Sequence, residues 1–274
     1  MKYLKQVALI WIASILFACG NDAYRLTVIN SGPFAEKQIT IDNSVMQQLL
    51  TDSLLVDQGL NVQESNTLSQ KTEEMISLVN TVRETKSDSL WKTLSASWED
   101  FRRNHVGPDG LPVVKADSLT DSQSKSIARK WAELNVNLLK LSGEVKFGDA
   151  LEKMLYGSKV PVLSEKFLKS VIYTHIDDQI FINVIGSSSV NHHHTTGGTI
   201  KLIQKTDYPK SNEMILKCEC DDVRYLDLFI RIPAWAVNPT VTHGNVKYVP
   251  HPGEYCQISR KWNDGDEIQV RLKN

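Results

Sequence analysis

The chain has 274 residues, 41% of them hydrophobic, and a net charge of −1. That length suits one large domain or two ordinary ones, and the composition permits a real core. The near-neutral balance excludes the strongly basic face of a nucleic-acid binder, so no nucleic-acid partner is expected.

The N-terminus reads as a targeting segment. Lys2 and Lys5 precede an apolar run from Val7 to Phe17, too short to span a bilayer. Leu16, Ala18 and Cys19 fit the bacterial lipobox, which predicts cleavage before Cys19 and lipid on its sulfur. The alternative is a plain signal peptide with an incidental cysteine. Several acyl chains would hold the mature protein to a membrane surface. The expected place is the bacterial cell envelope, outside the cytoplasm. Residues 1–18 are assigned to the signal peptide, 19–170 to a helical domain and 171–274 to a β domain.

Apolar residues at helical spacing come first: Val45, Leu49, Leu50 and Leu54; then Met75, Leu78, Val79 and Val82; then Leu90, Leu94, Trp98 and Phe101. A stronger run links Ile127, Trp131, Leu134, Leu138 and Leu141, and Ser142-Gly143 ends it in the manner of a glycine C-cap. Phe147, Leu151 and Met154 begin another helix. Between two of these lies HVGPDGLPVV (His105 to Val114), an irregular loop by its Gly and Pro content.

From Val171 the period shortens to two. VIYTH and IFINVIG flank Asp177-Asp178. TIKLIQK, EMILKCEC, YLDLFIRIP, YCQIS and EIQVRL alternate apolar with polar. Short strands at this density predict an antiparallel β-sandwich. Asn263-Asp264-Gly265-Asp266 is read as a tight hairpin turn between the last two strands, with Trp262 packed beside it. Three cysteines remain after Cys19, at 218, 220 and 256. Cys218 and Cys220 point to one strand face, so burial as small apolar residues is expected, and a bridge from Cys256 to either is the alternative.

The β half resembles the C-terminal sandwich of the β-L-arabinofuranosidase family of glycoside hydrolases, family 127. The resemblance rests on QKTDYP (204–209), FIRIPAWA (229–236) and GEYCQISRKWNDGDEIQVRL (253–272), in that order. It extends to SGPFAEKQ (31–38) and to the helix pair LLKLSGEVKFGDALEKMLYG (138–157). It implies an α+β chain: an incomplete α/α-toroid-like helical part followed by the β-sandwich. It also implies where chemistry would sit. The family's acid/base Glu follows Val-Gly; aligned on LSGE, that place holds Pro108 after Val106-Gly107. The family's Glu-x-Cys falls on Ser124 and Ser126. Its Cys-Cys-Pro-Pro falls on KVPVLSEKF (Lys159 to Phe167). No cysteine occurs between Gly20 and Lys217. Thiolate-held zinc needs soft ligands converging as a tetrahedron, and a sulfur nucleophile needs a cysteine. The expectation is a relative without the family's mechanism, with no metal and no cofactor.

Three functions follow. The leading one is a non-catalytic accessory protein of the envelope that touches glycans. The second is a working hydrolase with relocated carboxylates, for which Glu99, Asp109 and Glu133 are the candidates. Glu99 also fits a solvated helix face, and Asp109 a Pro-Asp-Gly turn. The third is a structural lipoprotein with a protein partner, which would expose an apolar patch where toroid helices are missing. Sugar-stacking candidates are Trp235, Tyr255 and Trp262, against a packing role for each. His192-His193-His194 is expected in a polar loop rather than a metal site. Asp177-Asp178 and Asp221-Asp222 are expected in turns.

Overall fold

The structure is a computed structural model and describes residues 25–27, 63–113, 121–157 and 165–273. The expected helix around Val45 to Leu54, the targeting segment and most of KVPVLSEKF lie outside those residues. The described residues fall into two compact units, 63–157 and a second made of 25–27 with 165–273.

The helical unit holds α1 (Gln63–Thr85), α2 (Asp88–His105), α3 (Asp121–Ser142) and α4 (Val145–Gly157). Leu68, Thr72, Met75, Val79 and Val82 form the buried stripe of α1, spaced four and three apart as a helix face requires. The Thr72 hydroxyl is satisfied by donating to Leu68 O at 2.8 Å. Ser87 caps α2, its hydroxyl accepting from Leu90 N, while Asp88 opens that helix and Arg102, Arg103 and His105 close it. α3 ends where Gly143 takes φ 68°, a conformation that disfavours a side chain even though the space is open.

The centre of this unit is aromatic. Trp98 stacks on Trp131 with centroids 5.7 Å apart, Phe101 stacks on Trp131 at 4.9 Å, and Phe147 meets Trp98 edge-on at 4.9 Å. Asn135 is fully buried among them. It accepts from Trp98 Nε1 at 3.0 Å and donates to Trp131 O at 2.7 Å, so the amide is satisfied, while the buried Trp131 Nε1 has no hydrogen-bond partner.

The second unit is a two-layer β structure. A seven-stranded sheet runs β1-β4-β5-β6-β11-β8-β9 and a four-stranded sheet runs β10-β7-β3-β2. The strands are β1 (Arg25–Thr27), β2 (Tyr173–Ile176), β3 (Gln179–Ile182), β4 (Ser188–His193), β5 (Thr199–Lys205), β6 (Glu213–Cys220), β7 (Arg224–Arg231), β8 (Val237–His243), β9 (Val246–Tyr248), β10 (Tyr255–Trp262) and β11 (Glu267–Lys273). A short helix, α5 (Glu165–Lys169), precedes β2. All pairings are antiparallel except β3 with β7. Alternation puts Leu202, Leu216, Val241, Ile268 and Val270 inward from one sheet, and Ile180, Leu226, Leu228, Ile258 and Trp262 inward from the other. The expected α+β order of helices before antiparallel-rich sheets is what the chain adopts.

Two local expectations need correction. Asn263 to Asp266 is a turn, with Gly265 at φ 81° and Asp266 N donating to Asn263 O. It is not a hairpin: β10 pairs with β7 in one sheet and β11 with β6 and β8 in the other. The chain crosses between layers here, because the apolar faces of β10 and β11 oppose one another across the core. The turn instead bonds to β6: Gly265 N donates to Cys218 O, Asp266 O accepts from Cys218 N, and Asp264 Oδ1 accepts from Cys220 N. The histidine run is not a loop either. His192 and His193 are strand residues of β4, with Ile200 and Thr199 of β5 as partners.

Candidate functional site

The three carboxylates proposed from sequence sit on separate elements of the helical unit. Glu99 lies on α2 and is tied to Arg102 at 3.0 Å, both side chains well exposed. Asp109 is a turn residue; its Oδ1 accepts from Leu111 N at 3.1 Å. Glu133 on α3 is half-buried, and that burial raises its pKa against the opposing pull of Lys130. No hydrogen bond or ion pair joins any two of the three.

The loop that carries Pro108 is tightly built. Gly107 N donates to Leu111 O and Val113 N to His105 O, closing the loop on itself. A Cβ on Gly110, which has φ 81°, would stand 2.8 Å from Met154 N. A Cβ on Gly157 would stand 2.9 Å from Asp109 O. Two glycines thus let the loop backbone lie directly on the last turns of α4. Pro108 at its tip is exposed, as is Ser124, and Ser126 is half-buried. A hydroxyl or a proline ring at these places does not fit a thiolate-held zinc ion.

In the β unit, Trp262 is 1% exposed and donates from Nε1 to Leu226 O at 2.9 Å, which leaves no ring face for a sugar. Tyr255 is half-buried; its hydroxyl donates to Asn183 Oδ1 at 2.6 Å and Phe181 meets its ring at 87°. Asn183 in turn donates to Val171 O and Thr174 Oγ1, and its own carbonyl accepts from the buried Arg231 Nε. Tyr255 and Arg231 of the family-like motifs therefore serve a buried polar network. Trp235 is half-buried and lies parallel to Tyr208, 11° between planes and 6.2 Å between centroids. Among the described residues the three cysteines are free thiols, with Cys218 and Cys256 buried, so the alternative bridge from Cys256 does not form. Burial pushes the Cys256 thiol up to about 11 and Cys218 up to about 12.

The most concentrated constellation is one the sequence reading split into separate features. Asp178, in the turn between β2 and β3, receives His192 Nε2 on Oδ1 at 2.9 Å. Thr195 N donates to the same oxygen at 3.0 Å, and Thr195 Oγ1 donates to Oδ2. His194 Nε2 stands 3.3 Å from Oδ2 and donates to Tyr225 O at 2.8 Å. Thr196 N, which can only donate, points at His194 Nδ1 at 3.1 Å. In that contact Nδ1 acts as acceptor and Nε2 as donor. His175 from β2 completes the group, its ring 5.7 Å from that of His192. Burial holds His192 below the usual histidine value, with Asp178 pulling the other way. Burial alone would raise Asp178, but the bonds from Thr195 and His192 outweigh it and hold the carboxyl low. The closeness of His192 and His194 in sequence was a readable signal, although His194 lies just past the end of β4; Asp178 as their partner was not.

A polar groove lies over β5, β6 and the 263–266 turn, lined by Thr199, Lys201, Lys217, Glu219 and Asp264 among others. Glu219 sits between Lys201 at 3.3 Å and Lys217 at 3.0 Å, which holds its carboxyl low. Among the described residues no set of three His, Cys, Asp or Glu side chains is arranged to hold a metal ion.

Residues 179–274 match the family model of the β-L-arabinofuranosidase GH127 middle domain. That span contains FIRIPAWA and the GEYCQISRKW segment, on which the resemblance was read. Solved structures agree in fold. A GH127 β-L-arabinofuranosidase from Geobacillus stearothermophilus T6 superposes with a TM-score of 0.61 at 17% identity, over 76% of this chain and 42% of that one. A glycoside hydrolase gives 0.62 at 15% identity, over 84% of this chain and 52% of that one. A further GH127 β-arabinofuranosidase gives 0.62 at 17% identity, over 75% and 42%. No curated protein matches the chain. The chain spans about half or less of the length of these solved structures.

Proposed function

We propose that this chain is a lipid-anchored, non-catalytic relative of the GH127 β-L-arabinofuranosidases, with an accessory, glycan-associated role at the bacterial cell envelope. The observation that carries it is the content of the positions where the resemblance places chemistry. They hold Pro108, Ser124 and Ser126, and no cysteine stands between Gly20 and Lys217. Proline transfers no proton. A serine hydroxyl is a poor zinc ligand, and it is a weak nucleophile without an adjacent base.

The remaining carboxylates support the same reading. Two-carboxylate hydrolysis needs an acid and a base flanking one bond, about 5–10 Å apart. Glu99 is engaged with Arg102 and Asp109 with its own turn, while burial raises Glu133. The docking alternative predicts exposed apolar surface on the helices. Among the described residues of the helical unit, Val113 is the exposed large hydrophobic. Nothing there favours a protein-binding face.

Three measurements test the parts separately. The purified chain is expected to release no sugar from an aryl β-L-arabinofuranoside and to carry no stoichiometric zinc. Efficient turnover that disappears in Glu133→Gln would overturn the non-catalytic reading. Mass spectrometry of membrane-extracted protein is expected to find a diacylglyceryl adduct on Cys19 that Cys19→Ala abolishes; an unmodified, soluble Cys19 removes the anchor. A glycan array rich in arabinose-containing structures is expected to give binding, and no signal across it removes the glycan role.

A further inference from the structure

We propose that the Asp178 cluster is a pH-responsive clasp. While its histidines are neutral it fastens the 194–198 turn of the seven-stranded sheet to the 177–178 turn of the four-stranded sheet, and it releases the 194–198 turn when they take up protons. This depends on neither the lipid nor the glycan reading.

The geometry assigns the roles. One carboxylate collects donors from the other sheet's turn: His192 Nε2 and Thr195 N on Oδ1, and Thr195 Oγ1 on Oδ2. The second half of the clasp is the His194 ring. Its Nδ1 accepts from Thr196 N at 3.1 Å and lies 2.8 Å from Thr196 Oγ1, while Nε2 reaches Tyr225 O on β7. A proton on Nδ1 removes the acceptor and turns it toward another N–H. The Thr196 amide bond cannot survive that change.

The surroundings make proton uptake costly for the folded arrangement. His192 and His194 side chains are 3% and 7% exposed, and Asp178 is 20% exposed. The His192 ring lies between His175 at 5.7 Å and His194 at 6.5 Å. Asp178 can balance one imidazolium; it cannot balance three. Other charged groups stand around the cluster. Asp177 presents its backbone carbonyl to His175 Nδ1. His193, on the opposite face of β4, is exposed and pairs with Thr199 Oγ1. Arg224 of β7 lies against Gly198 and adds positive charge at the far end of the turn, with Asp221 and Asp222 as its partners. Asp227 of β7 donates its amide to Asp178 O, and its carboxylate Oδ1 is buried without a hydrogen-bond partner.

The experiment is amide hydrogen exchange, followed by NMR on the full chain at about pH 7.5 and about pH 5, either side of the ordinary histidine range. Rates are normalised to those of an unstructured chain. Protection of the Thr195 and Thr196 amides is expected to fall by about ten-fold or more at the lower pH, while the ladder amides of β7 keep theirs. Equal protection of both amides at the two pH values overturns the proposal. His192→Gln with His194→Asn keeps a donor near the first Nε2 and an acceptor near the second Nδ1, and neither titrates; this pair is expected to flatten the response. Persistence of the full acid loss in that pair also overturns it. Should the pair not fold, imidazole nitrogen shifts of the native chain decide: at neutral pH His194 must show the Nε2–H tautomer, and an Nδ1–H tautomer refutes the clasp.

Discussion

The two units treat polar side chains in opposite ways. The helical unit buries an aromatic stack with a neutral amide, Asn135, satisfied inside it, and keeps Glu99 on an exposed face and Asp109 in a turn, though Glu152 is buried. The β unit does the reverse at its polar centres. Asn183, Arg231 and Tyr255 form one buried network, and Asp178 with three histidines forms another. The difference explains which family-like residues persist. In the β unit, Arg231, Tyr255, Trp262 and Gly265 hold bonds or backbone conformations that the fold itself requires. In the helical unit Pro108 and Ser124 are exposed and Ser126 half-buried, and packing sets little demand on them. Proline and serine stand there without disturbing the core.

The aromatic stack carries the largest expected effect on stability. Trp98→Ala or Trp131→Ala is expected to destabilise the chain by about 3–5 kcal/mol in denaturant unfolding, from lost burial and the cavity left behind. Gly110→Ala should follow at about 1–3 kcal/mol or more, since a side chain there meets both an unfavourable φ and the α4 backbone. Asn135→Leu keeps the volume but strands Trp98 Nε1, at a cost of about 1–3 kcal/mol. A loss near zero would show that water or another group replaces the amide. At the bottom of the scale, Glu99→Ala should change stability by less than about 0.5 kcal/mol, because its pair with Arg102 is solvent-screened.

The pH dependence sharpens the other side of the contrast. The folded chain holds Asp178 below its ordinary value, so its contribution is complete above the usual carboxylate range and is lost as pH falls through the folded value. It also holds His192 below its ordinary value, so that contribution is complete above about 6.5 and declines as pH falls beneath it. Both signs agree: midpoints of thermal or urea unfolding should decrease on acidification, beginning near the histidine range. Asp178→Asn is expected to remove the carboxylate part of that slope. A flat profile in the native chain would contradict it.

The helices were legible because their apolar residues repeat at helical spacing, and that spacing is fixed by local geometry. Ile127 to Leu141 reads as a helix in any context, and Gly143 marks its end for a reason internal to one residue. The strands were legible by alternation for the same reason. What misled was partnership. The Asn263 to Asp266 turn has the residues of a hairpin, yet the turn alone does not say which sheet receives the next strand. His192 and His193 look like loop residues because their neighbours are polar, and only the carboxylate from a turn fourteen residues earlier makes a buried imidazole tolerable.

By itself the amino-acid order determined the helix and strand periods, the turn positions, the likeness to GH127 sandwiches and the lack of cysteine between Gly20 and Lys217. Those features depend on residues within a turn or two of one another, or on identity alone. The tertiary structure decided that β10 and β11 lie in opposite layers, that Trp262 is sealed inside, and that Asp178 collects three donating groups from another sheet. Such pairings follow from how apolar faces find one another across a core, and no local stretch of sequence carries that information.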